Sequence, residues 1–175
     1  TYDGSSWSEQ PDLNTARAGA TGAGTTTSAV VFGGAVPGAS AAVEEYSSSS
    51  WTSVTSMPAV RNYHSGGGTQ TSALAAGGVA STSSPYGIYN SSLEYDGTNW
   101  TSGGNLNTGR ALLGGAGTQT AFIAIGGDTN LNPHATTAIC EQYDGSVFST
   151  LPSLSAVGQN FRGTGGTTSS AYEAG

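Results

Sequence analysis

Few side chains of this 175-residue chain are of types that do chemistry, and they do not cluster along the sequence. There are two histidines, His64 and His134, a single cysteine, Cys140, and four arginines with no lysine. The densest run is Asp128-Thr-Asn130-Leu-Asn132-Pro-His134, whose alternating oxygen side chains are those that open a calcium loop. Pro133 stands where that loop needs glycine, and no glutamate closes it. A polar surface loop is therefore the expected reading, with Ca2+ near Asp128 the weaker one. One cysteine excludes an internal disulfide or a thiolate cage, so Cys140 is expected to be a small buried residue beside Ile139. A copper centre would need His, Tyr and Cys at matched places, and a serine hydrolase would need a nucleophile elbow. Neither pattern is present, so no catalytic residue, metal ligand or resident cofactor is expected.

Charge narrows the partners further. The formal net charge is -7 and the pI is about 4.4, so no basic stripe exists to neutralise phosphates. Nucleic acid and anionic membrane surfaces are unexpected partners, and no apolar run approaches the roughly 20 residues of a membrane span. Asn90-Ser-Ser92 and Asn99-Trp-Thr101 match the glycosylation acceptor, a pattern common by chance among so many Ser and Thr. Thr1 reads as following a cut.

The elements that position these residues come from a repeat. Counting from Trp100, Leu106, Arg110, Gly117, Thr118 and Gly126 stand at +6, +10, +17, +18 and +26. The same offsets run from Trp7 (Leu13, Arg17, Gly24, Thr25, Gly33) and from Trp51 (Met57, Arg61, Gly68, Thr69, Gly77). A fourth copy starts at Tyr143, with Phe148 in the Trp slot, Gly158 where arginine is due and Arg162 late. Equivalent tyrosines (Tyr2, Tyr46, Tyr95, Tyr143) are spaced by 44, 49 and 48 residues, a period that means a propeller or an array. Each unit reads as four short strands: a Gly/Ala-rich segment after the arginine, an apolar run such as 28–32 or 121–125 closed by Gly-Gly, a strand ending on the tyrosine, and a strand opened by the Trp. Asp-Gly pairs at 3–4, 96–97 and 144–145 mark the last turn, with Ser47-Ser48 the exception. No useful helical periodicity exists.

The Gly-Gly doublet, then Tyr, then Trp, then Arg resembles kelch-type repeats over essentially the whole chain, with a shorter Tyr-to-Trp gap than is usual there. Gly-Thr-Gln-Thr at 68–71 and 117–120 is similar to kelch-like repeats of bacteriophage virion and surface proteins. The resemblance implies an all-β, kelch-like β-propeller of four ~44–49-residue four-stranded blades, with repeat cores near 2–34, 46–78, 95–127 and 143–175 in one domain. It fits a closed four-bladed ring or part of a longer array. It also implies binding more often than catalysis. Trp7, Trp51 and Trp100 are expected in equivalent buried inter-blade sites. Arg17, Arg61 and Arg110 are expected to bridge carbonyls or the carboxylates Glu45, Glu94 and Glu141 between blades.

The connections after the doublets, residues 35–42, 79–90 and 128–137, vary in length while the strands repeat, so recognition is expected on that rim. Candidate contact residues are Tyr86, Tyr89, Asn90, Asp128, Asn130 and His134. The function expected is a non-enzymatic recognition or adhesion module at a cell exterior or virion surface, meeting a cell-surface glycan or protein. A purely structural repeat that stacks with other subunits or its own copies is the alternative. A propeller oxidase or glycosidase is the third.

Overall fold

The small-residue and apolar runs set the strands. The structure, a computed structural model, describes residues 1–157 and 163–174. Strand β1 (Thr21–Gly24) pairs with β2 (Ser28–Phe32), a run of β-branched and aromatic residues buried on its inner positions. A small hairpin of β3 (Ala35–Val36) and β4 (Gly38–Ala39) follows, then β5 (Val43–Ser47) and β6 (Trp51–Val54). The first sheet is ordered β1-β2-β5-β6, antiparallel throughout. The second sheet repeats it with β7 (Ser65–Thr69), β8 (Ser72–Ala76), β9 (Ser92–Tyr95) and β10 (Trp100–Ser102). The third uses β11 (Gly114–Thr118), β12 (Ala121–Ile125), then, after the hairpin of β13 (Asp128–Leu131) and β14 (His134–Thr136), β15 (Cys140–Tyr143) and β16 (Phe148–Leu151). A last pair, β17 (Gly163–Thr167) and β18 (Ser170–Ala174), starts a fourth unit. Registers coincide between sheets: Ala29, Ala73 and Phe122 each face the unit's tyrosine. The described residues include no helix, so none long and apolar enough to cross a membrane.

Two backbone features explain residues that recur. The Gly-Gly doublet lets the next unit's arginine backbone approach: Gly78 N donates to Arg110 O at 2.7 Å, and a Cβ on Gly77 (φ +67°) would lie 2.5 Å from that oxygen. In the turn before the fourth strand, Asp96 Oδ1 accepts from Thr98 N and Asn99 N at 2.8 and 2.7 Å, and Gly97 holds φ +91°. Those N–H donors keep the Asp96 carboxyl below its usual range, as the corresponding donors do at Asp144. The first sheet lacks the pair, and there Ser48 itself takes φ +57°.

Successive sheets pack face to face through their aromatic residues. Val30, Phe32 and Val43 of the first sheet meet Ala73, Ala75, Leu93, Tyr95 and Trp100 of the second, with the Phe32 and Trp100 rings 5.2 Å apart. Leu74 and Ala76 of the second meet Phe122, Ala124, Tyr143 and Phe148 of the third. Polar ties run across both junctions. Tyr95 Oη donates to Glu45 at 2.8 Å and Tyr143 Oη to Glu94. Gln70 Nε2 donates to Ala29 O and Tyr46 O at 3.1 and 2.7 Å, and Gln119 Nε2 repeats this on Ala73 O and Tyr95 O. First strands lie side by side in the order β1, β7, β11, β17, and among the described residues no comparable contact joins β17 to β1. Among the described residues, therefore, no closed ring is seen.

The tryptophans correct an expectation. Trp100 is buried, but Trp51 is half-buried and Trp7 is 81% exposed. Each stacks on its unit's tyrosine at about 5 Å, yet burial needs the preceding sheet as well. Over the first sheet lies the segment 1–16, from which Pro11 O accepts the Trp51 Nε1–H at 2.9 Å. Of the fourth repeat, Gly158, Arg162 and Gly175 lie outside the described residues.

Candidate functional site

The three variable connections leave the second strands and pair with the segments that carry the arginines: Ala35 with Ala18, Val79 with Asn62 and Asp128 with Ala111. They therefore gather at one end of the array. Residues 79–90 and 128–137 join there in an apolar cluster of Val79, Ala111 and Leu131, with Tyr86, Ile88 and Leu112 half-buried against it. This end is also conformationally strained. Tyr63 and Leu112, each two residues after an arginine, hold φ +54°, and the first unit has Gly19 (φ +64°) at that place. Leu112 N donates to Tyr63 O at 2.8 Å, linking the second and third units.

The candidate residues divide. Tyr86 and Tyr89 are half-buried, and Asn90 is exposed. Asp128 is fully buried rather than presented on an open loop, because β13 places it against Ala111. Its Oδ2 lies 2.6 Å from Nδ1 of the exposed His134, a contact that ties β13 to β14. Asn130 is exposed, and its side chain accepts from Asn132 N at 3.2 Å. The structure thus brings Asp128 and His134 together and places Tyr86 beside their hairpin, while Tyr89 belongs to a different centre.

That centre is the arginine position. Arg17 pairs with Glu44 and donates to Ala42 O at 2.7 Å; Arg110 Nη2 lies 3.1 Å from Glu141 Oε1 and Nη1 donates to Ile139 O at 3.4 Å. Both partners belong to the arginine's own sheet, which corrects the expectation of bridges to Glu45 and Glu94; those carboxylates take tyrosine hydroxyls across the junctions. Glu44 and Glu141 also accept backbone N–H bonds from Asn14 and Asn107, both at 2.7 Å. The second unit keeps the carbonyl contacts and replaces the rest. Leu93 occupies the carboxylate position, Pro58, which has no N–H, stands in place of the asparagine, and Tyr89 stands where the others have Ser40 and Thr137. Arg61 is 1% exposed with no carboxylate. Its Nη1 donates to Gly77 O and to Ser91 O at 2.9 Å, its Nη2 to Ser91 Oγ at 2.9 Å, and the Tyr89 ring covers the guanidinium at 4.5 Å. Burial lowers the Arg61 pKa to about 10, so the group remains charged at neutral pH.

His64 lies next to it. Arg61 O and His64 Cε1 would both lie 2.5 Å from a Cβ on Gly33, so the two residues border the same glycine. The imidazole is buried against Phe32, rings 5.6 Å apart, and neither ring nitrogen makes a hydrogen bond of full geometry, the Phe32 backbone being a polar group that bears on it. Burial, reinforced by the Arg61 charge, lowers its pKa to about 3 and keeps it neutral. The other units carry Ala20 and Leu113 at this position. Sequence reasoning overlooked this cluster, although its signal was there: aligned on the arginine and tyrosine, the second unit alone reads Pro, His, Tyr and Leu.

No protein-family model matches the chain, and no curated protein matches it. Among solved structures 132 chains do, so the arrangement is a common one. One, titled "Structure of YjhT", superposes with a TM-score of 0.63 at 19% identity, covering 85% of this chain and 48% of that chain. This chain spans about half the length of that neighbour. At such identity the likeness speaks for the fold alone, an all-β array of antiparallel four-stranded sheets.

Proposed function

We propose that the chain is a run of kelch-like propeller blades whose loop end is a non-enzymatic recognition surface, displayed outside a cell or on a virion and directed at a glycan or protein. The observation that carries the reading is the contrast within each unit: strand registers and inter-sheet ties repeat, whereas the three connections at one end take different forms, with half-buried tyrosines in the longest. A fixed scaffold tolerates diversity where packing does not constrain it, and tyrosines among Ser and Gly give contact area at low entropic cost. The test replaces residues 79–90 by the sequence of 35–42 and measures binding of both chains to a glycan array and to intact cells. The reading requires binding that the replacement abolishes in a chain that still folds, as judged by an unchanged circular dichroism spectrum. No binding by the parent chain, or binding untouched by the replacement, refutes it.

The exposed Tyr2 and Trp7 and the half-buried Trp51 support a second reading, a structural repeat that stacks end to end through this face. Sedimentation velocity over a concentration series separates the two, since stacking requires association that Trp7→Ser weakens.

A further inference from the structure

We propose that the second unit holds an anion site, in which Arg61, bordered by His64 and covered by Tyr89, receives a carboxylate from a ligand seated at the loop end. The repeat itself supplies the argument. At this position the first and third units surround a buried guanidinium with a glutamate, and that glutamate with an asparagine N–H. In the second unit the glutamate and the asparagine are both gone, while the arginine remains and is as deeply buried as Arg110. A buried cation without a carboxylate is costly, and the carbonyls and aromatic face around Arg61 offset only part of that cost. The unit then adds a second buried polar group, His64, whose ring nitrogens lack a hydrogen bond of full geometry and whose Cε1 borders the same glycine as the Arg61 backbone. A neutral imidazole can donate one hydrogen bond to an anion. In a chain of net charge -7 this spot has donors and no acidic side chain at the position where its counterparts have one. Its cover is the half-buried ring of Tyr89, part of the 79–90 connection, so a ligand bound there reaches the guanidinium by turning that ring aside. The carboxylate then meets the guanidinium from the Tyr89 side, because Leu93 fills the place that Glu44 and Glu141 take in the neighbouring units. The assignment deepens the recognition reading by naming the ligand's chemistry, and it rests on that reading only for where the carboxylate comes from.

The probe is acetate. Uniformly 15N-labelled full chain is titrated with sodium acetate against sodium chloride at equal ionic strength, following the Arg61 side-chain and His64 ring signals. A saturable shift with acetate that chloride does not reproduce is the expected result. Tyr89→Ser, which removes the cover and installs the residue type of Ser40, should tighten acetate by about tenfold, the weight of one charge-assisted hydrogen bond. Arg61→Met should abolish the shift at His64, as should Leu93→Glu combined with Pro58→Asn, which builds the carboxylate in. Absence of a saturable shift in both the parent chain and Tyr89→Ser overturns the site, as does a shift that survives Arg61→Met. A chain that takes acetate yet binds no glycan or cell keeps the anion site and loses the recognition reading; the reverse result removes the anion site alone.

Discussion

Arg110 and Arg61 stand at the same place in successive units and donate to the equivalent backbone carbonyl, but the side chains around them differ. Arg110 faces Glu141, which Asn107 holds in turn; Arg61 faces a tyrosine ring, a serine and two carbonyls, with Leu93 and Pro58 where the acid and its donor belong. One geometry neutralises the buried guanidinium with a buried carboxylate, although Arg110 Nε is left without a hydrogen-bond partner as Arg61 Nε is. The other leaves a buried charge with room in its chemistry for an acceptor, under a loop that differs in every unit. The repeat fixes where a guanidinium lies, and the neighbours decide whether it is structural or available.

The junctions around these arginines differ as well, and the largest effects are expected there. At the junction of the first and second sheets Phe32, Tyr95 and Trp100 pack beside Leu93 and Met57, and the tryptophan fills the place that Phe148 takes in the next sheet. Trp100→Ala should cost roughly 3–5 kcal/mol in urea unfolding. Trp7→Ala, at an exposed residue of the same repeat position, should stay within about 0.5 kcal/mol. Equal losses would mean that both tryptophans sit against a neighbouring sheet.

Next in size are the glutamines of the strand-to-strand turns, which tie each unit to the one before. Gln119→Ala strips a donor from Ala73 O and Tyr95 O and should cost about 1–3 kcal/mol, read by the same unfolding curves. Gln70→Ala should cost a similar amount, since it makes the same two bonds on the first sheet.

The last effect is a slope with pH, modest for any single step near neutrality. In the unfolded chain His64 takes a proton near its ordinary value of 6.5, whereas the folded chain admits it only near about 3. Between those values the unfolded state binds more protons, so stability is full above about 6.5 and falls as pH falls, by about 1.4 kcal/mol per unit. His64→Leu, matching Leu113 of the third unit, should flatten melting temperature between about pH 5 and 6.5. The depressed aspartates of the turns titrate below that window and leave it clean. An unchanged slope would place the imidazole in contact with water.

Much of the fold was legible because its determinants are local. The second strands 28–32 and 121–125 appeared as read, since an apolar run ended by Gly-Gly has few other uses. Asp-Gly turns appeared because their φ demand is written in two residues. Burial of the tryptophans was not legible for Trp7 and Trp51, because it depends on packing against a neighbouring sheet, a long-range contact that the local pattern does not encode. The arginine partners were misassigned by one position. Glu45 and Glu94 precede their tyrosines by one residue and Glu141 by two, and in a strand successive side chains point to opposite faces. The strand mates of Glu141 are therefore Glu44 and Leu93, and once that is seen the second unit stands out. Asp128 read as a surface residue because nothing in a polar run announces that a hairpin will fold it inward.

The difference between the two arginines is measured most directly by replacing each with methionine, of similar length and no charge, and comparing unfolding free energies. Arg110→Met leaves Glu141 buried without its cation and should cost about 3–5 kcal/mol. Arg61→Met leaves no buried charge, only carbonyls and a hydroxyl short of a donor, and should cost at least about 2 kcal/mol less. Losses of equal size, or a larger loss at Arg61, would contradict the account, because Arg61 would then be held for the fold as its counterparts are.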